Sequence, residues 1–491
     1  MNAAVMMMFF WVILVFLYLK MQEKFSYWKI RNIPYVKPIP IFGNLKNFFL
    51  GKCNIGQQLA SIYLDSNEKL VGIFMLHKPA VLVRDSDLIK TILIRNFECF
   101  HNRSASTSVD VEKNPDASTG LMVSKDETWK FIRKTITPAF SFLRLKTMMD
   151  NIQVCNNEMI SYLLSKTKEN REINMRDVAL RYGVDTVCSI LFGIEANCFK
   201  EENAELRLLA RNLFDYRIFQ RGFNIAMVFI SPFISKIFGF DFLHIESVQN
   251  LVKILTQCLR DRNMNFRRRN DYLDMLSDAM KKYTGKGNLL CGATETFVAG
   301  NEAISSSLCF AFYHLANDLN IQHKLRHEIK EIMAEGKQVT HEQLSQISYL
   351  DFFTKELFRM YPIVPFLDRV CKRNFHLENS NIIIEEGMLV YVPLFGILHD
   401  PEFYPDPYTF RPERFSDGHL DWSMYFPFGK GPRMCLAKKY TDLVIKMCLV
   451  NVLINFKLEL SSKSPNEMTL HSRGFSCQPS GDVFLNLYKL D

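Results

Sequence analysis

A glycine- and proline-rich turn near the carboxyl end, FPFGKGPRMCLAKKY at residues 426–440, constrains this chain more than any other stretch. It presents Cys435 shortly before an apolar-periodic segment that predicts a helix. Gly429 and Gly431 allow a tight backbone turn and leave room for a flat object to pack against the loop. Arg433 adds a cation at which a carboxylate can bind. Because helix amino termini favour negative charge, we expect a lowered pKa for the Cys435 thiol and an affinity for a soft metal.

The spacing F-x-x-G-x-R-x-C, formed by Phe428, Gly431, Arg433 and Cys435, is much more specific than a lone cysteine, which is usually a buried apolar residue. It resembles the haem-binding loop of the cytochrome P450 family, here residues 428–437. The resemblance implies that Cys435 is the axial ligand of the haem iron and that the cofactor is haem b, iron protoporphyrin IX.

Four arginines and a tryptophan are candidates for binding the haem propionates. Trp129 and Arg133 share one helical face in WKFIR. The resemblance assigns both to the propionates, together with Arg369 and Arg433, and Arg103 in FHNR is a fifth candidate. A buried dianionic porphyrin edge needs several cations or donors, since unpaired buried charge is very costly.

A second motif, KELFR, places Glu356 and Arg359 on one helical face. Arg414 follows downstream in RPERF. These residues resemble the family's buried triad of one glutamate and two arginines, which implies a role in folding. The alternative is an ordinary surface ion pair, which contributes little to stability.

The predicted helix at 291–317 contains TFVAGNEAISSS, where Ala299 and Gly300 interrupt an apolar stripe. This stretch resembles the family's oxygen-binding kink, in which an acid is followed by threonine. Here Glu302 is followed by Ala303, whose methyl group neither donates nor accepts a hydrogen bond. The family's usual proton route therefore has to be replaced or abandoned.

Three functions stay open at this point. In the first, the protein is a monooxygenase that inserts one oxygen atom from O2 into an apolar small molecule, either a xenobiotic or an endogenous lipid or terpenoid. Glu302, an ordered water, Ser306, Ser307 or a substrate hydroxyl would then supply the proton route. In the second, it rearranges a peroxide as an isomerase or dehydratase. In the third, it binds haem or a ligand without turnover. We favour the first, because some family members lacking this threonine remain monooxygenases.

The remaining chain predicts a mostly α fold with minor β, and the family resemblance extends from residue 34 to the end. With 48% hydrophobic residues in 491, the chain can bury a large core. The resemblance implies the cytochrome P450 fold: one large helical catalytic domain at 34–491 with small sheets. Helical patterns occupy 127–165, 175–192, 203–217, 243–264, 291–317, 319–333 and 342–360, and strand patterns occupy 71–83, 380–393 and 481–488. The stretch 213–243 is too apolar for a surface loop, so it is either buried or a membrane contact.

The amino terminus carries an uncharged apolar run from Ala3 to Leu19, just long enough to cross a bilayer. Basic residues follow this run and none precedes it, so the rest of the chain is expected in the cytosol. A cleaved secretory signal is the alternative, but the basic n-region and the small-residue cleavage site are missing. We expect a single transmembrane helix at 1–19, a basic linker at 20–33 and a proline-rich hinge at 34–44.

The chain contains no convincing phosphate-binding motif, so a monooxygenase here must receive its electrons from a partner. The resemblance, which is to the insect-type microsomal branch that handles xenobiotics, implies the NADPH-cytochrome P450 reductase of the endoplasmic reticulum membrane, with cytochrome b5 as a second candidate. A basic face is expected to bind it: Lys130, Lys134, Lys430, Lys438 and Lys439. The modest net charge of +8 does not indicate nucleic acid as a partner. Segments 104–122, 210–240 and 364–368 are candidates for the substrate pocket.

Overall fold

The computed structural model describes residues 3–213, 219–240, 242–333, 339–378, 382–416, 418 and 420–490. Some predictions fall partly outside these ranges. Residues 214–218, which belong to the apolar stretch 213–243, the helical pattern 203–217 and the candidate pocket segment 210–240, lie outside the described residues. So do residues 1–2 of the predicted anchor, residue 241, and residues 380–381 of the strand region 380–393.

Helices make up most of the described chain, which confirms the expectation of a mostly α fold with minor β. Their bounds are α1 Ala3–Phe25, α2 Tyr27–Ile30, α3 Lys46–Phe49, α4 Ile55–Leu64, α5 Ser86–Lys90, α6 Ser104–Ser108, α7 Asp126–Ile136, α8 Phe142–Glu169, α9 Met175–Val187, α10 Glu205–Leu213, α11 Phe219–Ile230, α12 Pro232–Phe238, α13 Ile245–Met264, α14 Tyr272–Met280, α15 Leu289–Asn317, α16 Leu319–Ile332, α17 His341–Gln346, α18 Ser348–Met360, α19 Leu394–Leu398 and α20 Lys438–Asn455.

Nine short strands form three small sheets in the described residues. The strands are β1 Leu70–Met75, β2 Lys78–Val83, β3 Glu172–Asn174, β4 Leu367–Val370, β5 Phe375–His376, β6 Ile383–Ile384, β7 Leu389–Val392, β8 Phe456–Leu460 and β9 Phe484–Lys489. The four-stranded sheet has the order β1-β2-β7-β4, the three-stranded sheet β3-β9-β8, and the last sheet pairs β5 with β6. The strand pattern at 71–83 is an antiparallel hairpin in which Gly72 pairs with Val81.

Two long helical predictions are wrong in their continuity. The pattern at 127–165 is split into α7 and α8 by a 3-10 turn at Thr137–Phe140. Pro138 lies at the start of that turn, and proline has no backbone N–H to continue a helix. The pattern at 342–360 is split into α17 and α18, because Ile347 has a non-helical ψ of 85°. Both breaks keep the apolar stripe, so periodicity alone does not reveal them.

The central helix α15 is buried along most of its length and packs closely against α9. A Cβ atom on Gly183 of α9 would lie 2.7 Å from Asn301 Oδ1, and one on Gly300 would lie 2.9 Å from Val187 Cγ2. Glycine at these two positions therefore lets the helix backbones approach each other. Gly300, a predicted site residue, packs against α9 here.

The amino-terminal helix α1 joins the body at its carboxyl end, where Phe25 packs against Phe74 with ring centroids 5.1 Å apart. Phe9, Phe10 and Trp11, nearer its start, are exposed. Among the helices of the described residues, none is both long enough and apolar enough to span a bilayer.

The apolar stretch 213–243 divides into two kinds of surface in its described part. The second half of α11, from Ile225 to Ile230, is buried. The short helix α12 instead exposes Phe233, Ile237 and Phe238. The segment therefore contributes to the core and also leaves an apolar patch on the surface.

Glu356, Arg359 and Arg414 meet in a fully buried ion-pair network. The Arg359 Nε donates to Glu356 Oε2 at 2.7 Å, and the Arg414 Nε donates to Glu356 Oε1 at 3.0 Å. All three side chains are at most 2% exposed, so a surface ion pair is excluded. Burial strengthens each pair but makes any unpaired member costly.

The remaining donors of both arginines bind backbone carbonyls of the segment that precedes the cysteine loop. Arg359 donates to Leu398 O at 2.7 Å and to Pro407 O at 2.8 Å. Arg414 donates to Pro405 O at 2.9 Å. The network therefore attaches this irregular segment to α18, and it positions the chain that leads into residues 426–440.

We expect Glu356→Gln to lower the free energy of unfolding by about 3–5 kcal/mol, because it leaves two buried guanidinium groups without a carboxylate. Equilibrium unfolding in urea, followed by circular dichroism, measures the change. Glu342→Gln is the matched control, since Glu342 forms an exposed pair with Lys146 at 2.8 Å and its loss should leave unfolding unchanged. Equal losses in both variants would contradict this assignment.

Candidate active site

The loop that carries Cys435 is held by its own backbone and by close packing at Gly431. The Cys435 N–H donates to the Phe428 carbonyl at 2.8 Å, and Gly429 and Gly431 have φ of +78° and +80°. A Cβ atom on Gly431 would lie 2.0 Å from the Leu93 carbonyl oxygen. Glycine at position 431 therefore lets the Leu93 backbone approach the loop closely.

Cys435 has an exposed side chain in the middle of a folded region. Burial nevertheless raises the pKa of its thiol, while the Ala437 N–H and then the Arg133 guanidinium act in the opposite direction. A thiol that is exposed and yet surrounded by protein atoms lines an internal space rather than the outer surface. The expected net lowering of this pKa is wrong, because α20 begins only at Lys438 and desolvation outweighs the nearby donors.

Two buried arginines, Arg369 and Arg433, lie beside this loop with the half-buried Arg103. The Arg103 Nη2 donates to the Arg433 carbonyl at 3.2 Å, the Arg433 Nη2 donates to Ser124 O at 3.0 Å, and the Arg369 Nη1 donates to Asp368 O at 2.7 Å. Burial and then mutual repulsion lower the pKa of Arg433 to about 8 and that of Arg369 to about 9. Such a cluster needs nearby anionic charge to remain protonated.

Several guanidinium nitrogens of this cluster have no hydrogen-bond partner within the described part of the chain. They are the Nε of Arg103, the Nε of Arg369, and both Nε and Nη1 of Arg433. Buried donors are almost always satisfied in folded proteins, so these atoms indicate a ligand with several anionic oxygens. The two carboxylates of a porphyrin fit this requirement.

The other two predicted propionate residues lie in the same region. The Trp129 ring lies under the Arg433 guanidinium, with the Cζ atom 4.4 Å from the ring centroid. The Arg133 Nη1 donates to the Met434 carbonyl at 3.0 Å, next to Cys435. The structure thus brings all five predicted residues to one side of the cysteine loop.

A stripe along α15 provides a second wall. Ala299 is exposed although its helix is largely buried, and Glu295 and Ala303, one turn before and after it, are half-buried. Residues four apart share a helix face, so this stripe borders an open space. The Met122 N–H donates to Glu295 at 2.8 Å, two residues before the carbonyl that binds Arg433. The stripe therefore lies on the arginine side of the molecule.

The Glu302 carboxylate is bound by two serine hydroxyls. Its Oε1 accepts hydrogen bonds from Ser306 Oγ at 2.9 Å and from Ser476 Oγ at 3.3 Å. Burial raises the pKa of Glu302. Ser307, the other candidate hydroxyl, is buried, and its Oγ has no partner in the described residues.

Three further residues of this region were not predicted from their sequence motifs. His101 is buried with its Nε2 unpartnered in the described chain, and its ring centroid lies 5.0 Å from that of Trp129. Asp368 accepts from Ser104 Oγ at 2.6 Å and favours the charged form of Arg369. The four-residue spacing between Glu295 and Ala299 could have indicated Glu295 from the sequence. For His101, the sequence offered only its proximity to Arg103.

The family of this protein follows from its similarity to known proteins. The chain matches the family model described as cytochrome P450 over residues 33–485. The chain belongs to the cytochrome P450 family. The family resemblance of the sequence is thus confirmed, and the protein is a haem-iron monooxygenase that depends on a redox partner and acts on a small molecule.

Similar P450 proteins come from insects. Cytochrome P450 6j1 of Blattella germanica is 30% identical over 487 residues, which cover 97% of this chain and 96% of that protein. Probable cytochrome P450 6g2 of Drosophila melanogaster is also 30% identical, over 96% of each chain. Cytochrome P450 6A1 of Musca domestica is 29% identical over 94% of each chain.

For this P450, we expect Arg369→Gln to accelerate haem loss about tenfold or more, since a charge-assisted hydrogen bond to a buried carboxylate is removed. Transfer of haem to excess apomyoglobin, followed by absorbance, measures the rate. Arg373→Gln is the matched control, because Arg373 lies in the same segment but is exposed. A rate unchanged in Arg369→Gln would remove this arginine from the haem site.

Proposed function

We propose that this P450 inserts one oxygen atom from O2 into an apolar small molecule, with Cys435 as the axial ligand of haem b and with electrons supplied from NADPH through a reductase. One observation carries the proposal: the exposed Cys435 thiol lies beside three arginines whose buried guanidinium nitrogens are incompletely bonded. Metal binding requires the thiolate, and the iron then replaces the solvation that burial removes. Bound there, haem supplies oxygen activation, which no side chain of the protein can provide.

In this proposal each group at the space has one task. Arg103, Arg369 and Arg433 bind the two propionates, which satisfies their unpartnered N–H groups and compensates their charge. Trp129 supports the Arg433 guanidinium from below. Ala299 and Ala303 keep the opposite wall apolar and small, so a substrate can approach the reacting position closely.

Glu302 is the proposed source of protons. It borders a cavity of about 430 Å³ that also contacts Ser306, Arg176 and the exposed Glu202. Water in such a polar cavity can carry protons from the surface to the carboxyl group. The raised pKa of Glu302 favours a group that both holds and releases a proton.

The alternative functions remain a peroxide-rearranging isomerase or dehydratase and a haem-dependent binding protein without turnover. One observation favours them: position 303, on the stripe that faces the internal space, has a methyl group in place of a hydroxyl. Neither alternative requires protons at that position. Ser307 also lacks a hydrogen-bond partner in the described chain, so it is not part of a hydrogen-bonded proton relay there.

A basic surface near the cysteine loop supports a reductase as partner, with cytochrome b5 as a second candidate. Lys134, Lys438 and Lys439 are exposed. Lys130 is also exposed and pairs with Glu127 at 3.1 Å. Lys430 is half-buried and donates to the Ser423 carbonyl at 2.6 Å, so it offers less charge to a partner than its neighbours. Acidic redox proteins would be attracted to the four exposed lysines.

Anchoring at the endoplasmic reticulum membrane by residues 1–19 belongs to the same proposal. The exposed aromatic side chains of α1 support it, because water is a poor environment for so many apolar groups. The exposed apolar residues of α12 offer a second contact with lipid. The substrate, an apolar xenobiotic, lipid or terpenoid, could then enter from the bilayer.

Reconstitution with reductase, NADPH and lipid tests the function against a panel of terpenoids, fatty acids, steroids and insecticides. We expect product that carries one oxygen atom derived from labelled O2. Substrate-induced spectral shifts without any product would favour the binding protein. Conversion of a fatty-acid hydroperoxide in the absence of NADPH, without activity on unoxidised substrates, would favour the isomerase.

We expect Ala303→Thr to raise the ratio of product formed to NADPH consumed, because a hydroxyl at this position holds the water that delivers protons. Ala303→Val is the control, since valine has the shape of threonine without the hydroxyl. Parallel measurement of product, NADPH and hydrogen peroxide gives the ratio for all three proteins. If threonine and valine behave alike, the proton route runs elsewhere.

A further inference from the structure

A carboxylate lies in the wall of a cavity with a volume of about 460 Å³. Glu295 comes from α15, one turn before the exposed Ala299 and on the same face of the helix. Around it the cavity is mainly apolar. The small or apolar residues that line it include Gly120, Val123, Leu243, Val248 and Thr294.

The Glu295 carboxylate is held in place by backbone rather than by a cation. Its Oε2 accepts from the Met122 N–H at 2.8 Å. A Cβ atom on Gly120 would lie 1.9 Å from Glu295 Cδ, so glycine at that position creates the room for the carboxylate. Across the described residues, no ion pair to Glu295 is formed. The group is therefore positioned but not neutralised.

Charged groups face Glu295 from several elements. Burial raises the pKa of Glu295 to about 7, while the Met122 N–H, then Arg103, the Val123 N–H and Arg433 act in the opposite direction. Tyr272 of α14 is a neutral phenol nearby, with its pKa raised to about 12, mainly by burial. Ionisable residues of the cavity rim and wall are Asp110, Lys113, Asp116, Lys236, Lys253 and Cys291. Lys236 is already paired with Asp110 at 3.6 Å.

Haem binding changes this balance. In the proposed function, the propionates compensate the two arginines that favour the Glu295 carboxylate. Glu295 is then an acidic residue of the α15 stripe that lines the cavity. Within the described residues it forms no ion pair. A cation delivered by a ligand would restore the pairing, and buried charge pairs form strong hydrogen bonds.

We propose that Glu295 selects substrates that carry a protonated amine on an apolar body. The inference rests on the proposed function and narrows its substrate class. The ammonium group binds the Glu295 carboxylate, and the hydrocarbon part packs against apolar side chains of the same cavity, among them Val123, Leu243 and Val248. The alternative is a purely structural role, in which Glu295 only anchors the 120–123 loop through the Met122 N–H.

Glu295→Gln separates these two roles, because glutamine keeps the hydrogen-bond acceptor and removes the charge. Two probes are compared by calorimetry on the haem-loaded protein: N,N-dimethyl-4-phenylbutylamine and its neutral carbon isostere, 2-methyl-6-phenylhexane. We expect the variant to bind the amine about 10- to 100-fold more weakly and the hydrocarbon unchanged. Equal affinity of wild type and variant for the amine would overturn the proposal.

The wild-type protein provides a second test that does not depend on the variant folding. The amine stays protonated from pH 5.5 to 8.5, since aliphatic amines titrate near pH 10. Its affinity should rise with pH across this range and fall by up to about tenfold per unit toward acid, as Glu295 becomes protonated. The hydrocarbon should show no such dependence, and a flat profile for the amine contradicts the proposal.

Failure of this inference and failure of the proposed function give different results. If the protein forms a thiolate-bound haem and binds the hydrocarbon, but does not distinguish it from the amine, only the role of Glu295 is lost. If no thiolate-bound haem forms at all, the proposed function fails first.

Discussion

Cationic charge that is buried without a partner organises the centre of this molecule. Arg103 donates to the Arg433 carbonyl in the loop of Cys435, and Arg369 lies close enough to repel Arg433, yet several nitrogens of these arginines bond to nothing in the described chain. An arrangement of this kind is costly unless an anion completes it. The apoprotein should consequently gain much stability from haem, because a ligand that binds only the folded state shifts the folding equilibrium toward it.

The Glu356 network shows the opposite solution to the same problem. Its carboxylate meets two guanidinium groups, and their other donors all reach backbone carbonyls. It is complete without a ligand, so it can form early and hold the chain that leads into the cysteine loop. One buried charge cluster thus supports the fold, and the other is left open for the cofactor.

Local motifs predicted much of this architecture, because motif residues carry their geometry with them. The Glu356–Arg359 spacing placed both side chains on one helix face, and the glycines near Cys435 indicated the left-handed turn that the structure has. Properties set by distant neighbours were missed. The Leu93 carbonyl fills the space beside Gly431, and Val187 leaves little room for a side chain at position 300. Burial reverses the expected pKa shift of the Cys435 thiol.

Glu295 illustrates why the rest of the site could not be read from the sequence. Its position on α15 was predictable, but its meaning depends on Gly120 and Met122, which approach it across more than 170 positions of chain. Helix periodicity gives the face of a residue, whereas the content of a cavity depends on which loops fold over it. Sequence alone therefore identifies the cofactor class sooner than the substrate class.

Binding of the haem iron by Cys435 is tested by the absorption spectrum of the reduced, carbon monoxide-treated protein. We expect the strongly red-shifted Soret band of a thiolate-bound haem in the wild type and in Cys53→Ser, a control at a half-buried cysteine. Cys435→Ser should lose that band. An unchanged band in Cys435→Ser would show that another group holds the iron and would contradict the assignment of Cys435 as its ligand.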